Sequence, residues 1–594
     1  MRTRLVRLRF RRRFRKGQQQ VGDLSTQAEQ HIDRHFFKRF ERLLPIRRFL
    51  IGWVGLVLLL IAGLVAQNIA LSTHYQTLQS VPGGIYKEGV RGRFTNANPM
   101  YATSDADTTV SRLMFAGLFT YDEHGKLAGD LARDYSVDAN GNTYTVRLKP
   151  NLTWHDGKPL TAADVVFTYQ MIQNPDAQSP LRSSWQGITV TASDKHTIVF
   201  KLPSGLASFP YNMTNGIVPQ HILSKISPNG LRSADFNTVH PIGAGPFEWR
   251  AIQVDGTGDP KKAEQQIALK PFEQYQGGVP KLQEFVVHVF GDGEELVKAF
   301  DDDQLTAIEG YTAVPEELSG DKAIVQNNLP LRAANMVFFK TTQGVLSQQP
   351  VRQALVQGAD INSIIKSLGY ATRAVREPIL AGQLGYDPTL TQAAYNLKAA
   401  KATLEANGWV VGKSGVRSKA GQELAFTLTV PNSVEASLVS GQLKSQWKQI
   451  GAKVDIQTLG TSEFQNAITY HSYDAILNGI SIGADPDVFV YWDSTQADIR
   501  SANRLNLSEY KNATADAALE SGRTRIDPTL RVIKYKPFLQ EWQKDAPALG
   551  LYQPRLLYIT HGTVSGLDER PLTTPTDRFA NVQNWQIRQD RVTN

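Results

Sequence analysis

Residues 144–167 read YTVRLKPNLTWHDGKPLTAADVVF, and this stretch decides the fold class. Its first part alternates the apolar residues Tyr144, Val146 and Leu148 with polar ones, which predicts a strand with one buried face. Its second part has Thr161 and Asp164 at the spacing of a capping box, in which the acid reaches back to the backbone N–H at the cap. A strand followed closely by a helix predicts an α/β architecture.

The same two patterns recur on both sides of this stretch. Apolar alternation predicts further strands at residues 197–202 and 454–456. Helical spacing of apolar residues predicts helices over residues 396–407 and 433–450, with Gly408 ending the first of them. The chain therefore interleaves strands and helices, which again indicates an α/β fold.

The composition is that of a large globular protein. The chain has 594 residues, which predicts two to four domains at about 150 residues each. Hydrophobic residues make up 41 % and charged residues 20 %, so full disorder, collagen-like repeats and a multi-span membrane protein are excluded. There is no cysteine, which excludes disulfides, thiolate metal sites and a lipid anchor attached through cysteine.

The positive charge is concentrated at the N-terminus. The whole chain carries +8, but residues 1–48 alone carry +11, from fifteen Lys and Arg against four Asp and Glu. The remaining residues therefore sum to −3, and no nucleic-acid partner is expected for the folded body. We expect the basic tail to fix topology and to touch membrane lipid weakly, with RNA contact as an alternative.

An uncharged apolar segment follows the tail. Residues 49–66 read FLIGWVGLVLLLIAGLVA, and as a helix they would span about 27 Å, enough for a bilayer core. The preceding basic residues predict an uncleaved signal-anchor with residues 1–48 in the cytoplasm and the body outside the cell membrane. The alternatives are a cleaved signal peptide and a buried core helix. We expect residues 67–82 to be a polar linker.

Ten short segments of the body fit one family pattern in the right order. They are residues 98–99, 114–119, 127–132, 144–167, 217–219, 243–247, 275–282, 351–355, 395–409 and 485–487. Together they resemble the extracytoplasmic solute-binding proteins of ABC importers, in the peptide/nickel-type family 5. The sequence departs from that pattern at Gly129 and Asp130, at Ala244 in place of Thr, and at Gln276 in place of Trp.

The resemblance implies a two-lobed periplasmic-binding-protein-like α/β fold of class II, or cluster C, with an extra subdomain. Lobe 1 would span residues 83–331, including the extra subdomain at about 125–222, and lobe 2 would span 332–564. Residues 565–594 would return to lobe 1. With the anchor, one transmembrane helix would precede this body.

The resemblance also implies a function. The two lobes would close on a peptide, expected to be an oligopeptide, and deliver it as a monomer to an ABC permease. The alternatives are a membrane-tethered ligand sensor and a binder of a non-peptide solute such as a nickel chelate, haem or a sugar. No enzymatic activity is expected, because the chain lacks a G-x-S-x-G elbow, an H-E-x-x-H motif and a P-loop.

The candidate ligand-binding residues cluster before the D-P-D turn. Asn478, Gly479, Ser481 and Asp485 are the residues that the resemblance places at the cleft. Peptide-binding members often carry an acid at the position of residues 481–483, where it holds the ligand's α-ammonium, but this chain has none there. Asp485, Asp487 or backbone carbonyls would then hold the amine, or the ligand has no free amine.

Three further residues are candidates. Tyr101 and Trp492 are aromatic residues that would line the cleft, although a position in the core is an equally good interpretation. Arg373 would meet a ligand carboxylate through both of its terminal nitrogens, with a solvated surface position as the alternative.

No cofactor or metal is expected. The eleven histidines are scattered, and His31 and His35, with helical metal-site spacing, fall in the tail. The acidic run at residues 301–303 lacks the spacing of a calcium loop and is expected to be a solvated loop.

Overall fold

The computed structural model describes residues 47–256, 263–498, 500–501 and 504–593. Residues 1–46, including the predicted histidine pair, lie outside the described residues. The chain divides into two compact units, one comprising residues up to 79 together with those from 589 onward, and one comprising residues 80–588.

The described residues form strands that we number in chain order. They are β1 (Gln76–Val81), β2 (Ile85–Arg91), β3 (Phe119–Tyr121), β4 (Leu127–Gly129), β5 (Ala132–Val137), β6 (Thr143–Leu148), β7 (Thr189–Ala192), β8 (Thr197–Lys201), β9 (Phe247–Asp255), β10 (Glu264–Pro271), β11 (Glu284–Phe290), β12 (Ala307–Tyr311), β13 (Ile324–Pro330), β14 (Ala333–Phe339), β15 (Val410–Val411), β16 (Arg417–Lys419), β17 (Gln422–Glu423), β18 (Ala425–Pro431), β19 (Lys453–Leu459), β20 (Ala475–Ser481), β21 (Ala548–Tyr552), β22 (Arg555–His561) and β23 (Arg588–Thr593).

The α-helices are numbered in the same way. They are α1 (Arg47–Tyr75), α2 (Asp105–Met114), α3 (Ala162–Gln173), α4 (Arg182–Trp185), α5 (Phe209–Asn212), α6 (Gln220–Leu223), α7 (Gly293–Asp301), α8 (Gln349–Gln357), α9 (Ile361–Ser367), α10 (Leu397–Ala406), α11 (Val434–Lys448), α12 (Thr461–Tyr470), α13 (Phe489–Trp492), α14 (Ala513–Arg523) and α15 (Pro528–Asp545).

The first unit consists of α1 and a two-stranded sheet of β1 and β23. Helix α1 continues to Tyr75, well past the predicted end at residue 66, because residues 67–75 contain no proline or glycine to stop it. The predicted linker 67–82 is therefore mostly helix and strand. Within α1, Arg48–Ile69 is long and apolar enough to cross a membrane, judged by length and composition.

The second unit contains two large sheets, one in each lobe. Lobe 1 is built on a seven-stranded sheet with the order β13-β22-β12-β2-β11-β10-β9, in which β2 runs parallel to β11 and β12. A separate four-stranded antiparallel sheet, β5-β6-β8-β7, together with helices α3 to α6, lies between Ala132 and Leu223. This region falls within the predicted extra subdomain.

Lobe 2 is built on a five-stranded sheet with the order β19-β18-β20-β14-β21. Strand β18 is parallel to β19 and β20, whereas β14 is antiparallel to both of its neighbours. Helices α10 and α11 begin at the side-chain caps Asn396 and Ser433, at the starts that the sequence predicts.

Two short crossovers join the lobes. Residues 331–332 link β13 in lobe 1 to β14 in lobe 2, and residues 553–554 link β21 to β22. Strand β22 pairs with β13 and β12, so the chain returns to lobe 1 before the predicted position at residue 565. The reason is that the apolar run of β22 is buried on both faces in the sheet of lobe 1, through a pairing across more than 200 residues that local pattern does not reveal.

The stretch at residues 144–167 adopts the predicted elements. It contains β6 and the start of α3, where the capping box of Thr161 and Asp164 is formed. The second carboxylate oxygen of Asp164 accepts a hydrogen bond from the backbone N–H of Gln220, at 3.0 Å, and so ties α3 to α6. Trp154 is fully buried in the core of lobe 1.

Two of the departures from the family pattern touch each other. Gln276 Nε2 donates a 2.7 Å hydrogen bond to Asp130 Oδ1, and Tyr275 adds a 3.3 Å bond from its hydroxyl. Asp130 is buried, and this burial raises the pKa of its carboxyl. An amide at residue 276 therefore supplies the donor that an acid at residue 130 needs.

Candidate functional site

A cavity of about 730 Å³ lies between the two lobes. Lobe 1 lines it with residues from α2 and the turn after it, from the loops around α4 and α5, and from residues 573–577. Lobe 2 lines it with residues 482–490 and with Arg523 at the end of α14. Its volume lies in the range of about 300–1,000 Å³ that is typical of small-molecule sites. We call it cavity 1.

A smaller cavity of about 340 Å³ adjoins it and shares Tyr211, Ala484 and Asp485 with cavity 1. Lobe 1 lines it with Tyr135 and Tyr144, and lobe 2 with the start of α15. We call it cavity 2.

Helix α2 presents the wall of cavity 1 that belongs to lobe 1. Ser104 caps the helix by accepting a 3.1 Å hydrogen bond from Asp107 N, and Asp105 and Asp107 lie favourably in its first turn. Thr108, Ser111 and Arg112 then share one helical face and line the cavity. The helix ends at Met114, where Gly243 and Gly245 pack closely and Gly245 N donates a 2.8 Å hydrogen bond to the carbonyl oxygen of Met114.

The loop after β20 presents the wall of lobe 2. Ile482 N and Gly483 N both donate to the carbonyl oxygen of Arg332, at 2.8 and 3.1 Å, so the loop is tied to the first crossover. Gly483 has φ +78°, which favours glycine, and the chain then turns into Asp485 and Asp487.

Both acids of this turn are already paired with arginines. Arg531 in α15 holds Asp485 through two 2.7 Å bonds, from Nη1 to Oδ2 and from Nη2 to Oδ1, and both side chains are less than one-tenth exposed. Asp487 lies 3.1 Å from Arg523 Nη2. The charges that line this side of cavity 1 are therefore largely neutralised within lobe 2.

The two lobes are in direct contact at the edge of cavity 1. Ala207 N donates to the carbonyl oxygen of Arg523 at 2.8 Å, and Ser208 Oγ donates to Asp487 Oδ2 at 3.2 Å. Ser208 and Ala207 belong to lobe 1, whereas Arg523 and Asp487 belong to lobe 2. The structure therefore shows the lobes brought together on one side.

On the lobe 1 side, a third acid, Asp577, reaches the cavity from the C-terminal segment. Asp577 forms a capping box with Thr574, and its Oδ2 accepts hydrogen bonds from the backbone N–H groups of Thr573 and Thr574, at 3.1 and 2.8 Å. Next to it, burial raises the pKa of the Tyr121 hydroxyl, and the nearby Asp577 carboxylate raises it further.

The structure separates the candidate residues that the sequence suggests. Asp485 lines both cavities. Asn478, Gly479 and Ser481 lie on β20 and line neither cavity; Asn478 is half-buried and the other two are exposed. The carbonyl oxygen of Ser481 accepts a 2.6 Å hydrogen bond from the Tyr491 hydroxyl.

The aromatic candidates and Arg373 also lie away from the cavities. Tyr101 packs in the core of lobe 1 and Trp492 in the core of lobe 2, with 3 % and 0 % of their surfaces exposed. Arg373 is exposed, and its carbonyl oxygen accepts a 2.9 Å bond from Gln553 N at the second crossover.

Sequence reasoning missed Arg112, Ser208 and Asp577. The signal for Arg112 is present, because it shares a helical stripe with Thr108 and Ser111 next to a recognised motif. Ser208 and Asp577 carry no local signal. Among the residues that the structure describes, no group of three or more His, Asp or Glu side chains is placed to hold a metal ion.

Comparisons with known proteins match this chain to bacterial solute-binding proteins. The family model for bacterial extracellular solute-binding proteins, family 5 (middle), matches residues 126–501. The oligopeptide-binding protein AppA of Bacillus subtilis is 27 % identical over 521 residues, which cover 85 % of this chain and 92 % of AppA.

Two solved structures share the fold. NikZ from Campylobacter jejuni, in complex with Ni(L-His), superposes with a TM-score of 0.69 at 22 % identity, covering 85 % of this chain and 99 % of NikZ. AppA from B. subtilis, in complex with a nonapeptide, superposes with a TM-score of 0.65 at 24 % identity, covering 86 % of this chain and all of AppA. At these identities the likeness shows the two-lobed α/β fold.

Proposed function

Because the chain belongs to family 5 of the bacterial extracellular solute-binding proteins, we propose that it captures peptides between its lobes and delivers them to an ABC importer. The observation that carries the proposal is cavity 1, which is lined by both lobes and joined by cavity 2. A ligand in this position touches both lobes at once and stabilises the closed arrangement to the extent that it binds it better than the open one.

The lining of cavity 1 suits a peptide backbone. Lobe 1 contributes many hydroxyl and amide side chains, namely Thr108, Ser111, Ser183, Ser184, Ser208, Asn212, Thr214, Asn215, Thr573, Thr574 and Thr576. Such groups donate to and accept from amides without requiring a particular side chain on the ligand. The relative AppA, named for oligopeptide binding and solved with a nonapeptide, supports the same ligand class.

The two crossovers would serve as the hinge when the lobes close. They consist of residues 331–332 and 553–554, and each is a short segment between strands of different sheets. A few residues at such points absorb the backbone change when lobes move. The architecture that we propose is class II, or cluster C, with residues 125–222 as the extra subdomain of lobe 1.

Helix α1 supports the proposal that the protein is anchored in the cell membrane. Its apolar segment Arg48–Ile69 follows a strongly basic tail, which predicts a cytoplasmic N-terminus and a body outside the membrane. Deletion of residues 1–75 is expected to move the protein from the membrane fraction to the soluble fraction. Recovery of the full-length chain in the soluble fraction would contradict anchoring.

Native mass spectrometry of the full-length chain in detergent micelles tests the ligand class. Purified without refolding, the protein is expected to release a ladder of short peptides. Release of one discrete non-peptide solute would overturn the peptide assignment. Loss of cellular uptake of those peptides on deletion of the gene supports delivery to an importer, whereas unchanged uptake with a lost transcriptional response would favour a sensor.

A further inference from the structure

The charged groups that line cavity 1 differ in how well they are paired. Asp485 is held by Arg531, and Asp487 lies beside Arg523. Asp577 commits one carboxylate oxygen to two backbone N–H groups. The acids of the cavity therefore already have partners within the protein.

Arg112 stands apart from this pattern. Its Nη2 donates one hydrogen bond, to Thr120 Oγ1 at 2.6 Å, while its Nε is buried without a partner. In the described part of the chain no carboxylate pairs directly with this guanidinium. A guanidinium has five N–H donors, so most of its capacity at the cavity wall is unused.

The groups that the structure describes near Arg112 do not neutralise its charge through a direct ion pair. Asp130 lies behind it and interacts with it electrostatically, but its carboxyl already accepts from Gln276 and Tyr275. Burial raises the pKa of Asp130, so it compensates Arg112 less well than an exposed acid would. Tyr121, Tyr275 and the cationic Arg570 also interact with Arg112 electrostatically.

We infer that Arg112 anchors the ligand through a carboxylate. The planar fork of an arginine matches the two oxygens of a carboxylate, and the hydroxyl of Ser111 lies on the same face of α2 as a further donor, whereas the Thr108 hydroxyl already donates to the carbonyl oxygen of Ser104. The inference rests on the proposed function and names the group by which the ligand is recognised. It also assigns this role to lobe 1, at a position that differs from the exposed Arg373.

A competition between matched peptide pools tests it. Full-length wild-type protein in detergent, stripped of bound ligand, is mixed with equal amounts of short mixed-sequence peptides carrying C-terminal acids or C-terminal amides. Native mass spectrometry then counts the bound forms. We expect the acids to be enriched by about 10- to 100-fold, the worth of a charge-assisted hydrogen-bonded pair.

Variants test whether Arg112 causes the preference for C-terminal acids over amides. Arg112→Gln is expected to bind both pools equally, and Arg112→Lys to keep part of the preference because it keeps the charge without the fork. Arg373→Gln is the matched arginine control and is expected to behave as wild type. A melting curve without ligand establishes that each variant is folded.

The outcomes separate the two proposals. If wild type binds peptides but does not distinguish acids from amides, the inference about Arg112 is wrong and the proposed function stands. If the preference survives in Arg112→Gln, or disappears in Arg373→Gln, Arg112 is not the anchor. If wild type binds neither pool, the proposed function falls, and the inference with it.

Discussion

A buried ionic cluster in lobe 1 offers the sharpest test of how that lobe is held together. Arg578 is fully buried and donates to Glu88 Oε1 at 2.7 Å, while its other terminal nitrogen lies 2.8 Å from Glu309 Oε2. Tyr558 donates a further bond to Glu88. Glu88 and Glu309 come from β2 and β12 of the lobe 1 sheet, and Arg578 follows the segment that lines cavity 1.

The variant Arg578→Met removes the single cation from between two buried acids. Removing one partner of a buried ion pair typically costs about 3–5 kcal/mol, because the remaining charge has no compensation. Against a total stability of about 5–15 kcal/mol this is a severe loss. We expect the loss at pH 8, measured as the shift in the urea midpoint followed by tryptophan fluorescence.

The loss is expected to depend on pH. Burial raises the pKa of Glu88 to about 7, and the pKa of Glu309 is also raised by burial, while Arg578 opposes both shifts. A carboxyl whose folded pKa exceeds its unfolded value stabilises the fold below the unfolded value and loses this contribution as the pH rises through the folded one. Without Arg578 both pKa values rise further, so the variant recovers stability at pH 5 and is weakest at pH 8.

A matched variant isolates the charge. Adding Glu88→Gln and Glu309→Gln to Arg578→Met removes all three charges and is expected to restore most of the stability, since replacing a whole buried ionic cluster is often neutral. A loss of less than about 1 kcal/mol at pH 8, or an equal loss at pH 5 and pH 8, would refute the reasoning.

Three further predictions concern close packing and the cavity. Gly243→Ala would place its Cβ 1.9 Å from the carbonyl oxygen of Met114, so this variant is expected to fail to fold. Gly441→Ala in α11 has nothing within 4 Å of its Cβ and is expected to raise the melting temperature. Equal melting temperatures of the two variants would contradict the packing argument. Trp492→Ala is expected to cost about 3–5 kcal/mol in urea unfolding without changing the acid-over-amide preference of the bound peptides, and a lost preference would return Trp492 to the binding site. Arg531→Met removes the partner of Asp485, which lines both cavities. In a competition between peptides with a free amine and N-acetylated peptides, this variant is expected to favour the free amines by roughly tenfold relative to wild type. A ratio of bound peptides equal to that of wild type would contradict this prediction.

Several features could be predicted because they depend on neighbours in the chain. The capping box of Thr161 formed at the expected residues, and α10 and α11 begin at the predicted positions, since side chain and backbone lie within one turn of each other. The alternation of β6 and the apolar run in α1 are local as well. The order of the family motifs indicated a two-lobed solute-binding protein, which the family match confirmed.

The end of lobe 2 and the roles of the aromatic candidates could not be predicted from local sequence pattern. Strand β22 carries a short apolar run that would suit a buried strand of either lobe, and only its pairing with β13 assigns it to lobe 1. Tyr101 and Trp492 are large aromatic residues that suit a core or a cleft equally well by composition. Their burial depends on which elements pack over them.

The sequence by itself determined that this is an α/β protein with an apolar N-terminal helix, a basic tail and the motif order of family 5, because each of these is a property of composition or of short-range spacing. Only the tertiary structure decided the charge balance of the cavity. Asp485 meets Arg531 across 46 residues, and Glu88 meets Arg578 across 490. Such pairs form because the folded chain brings distant elements together, and they determine which charges have partners within the protein. Arg112 is left with hydrogen-bonding capacity for a ligand.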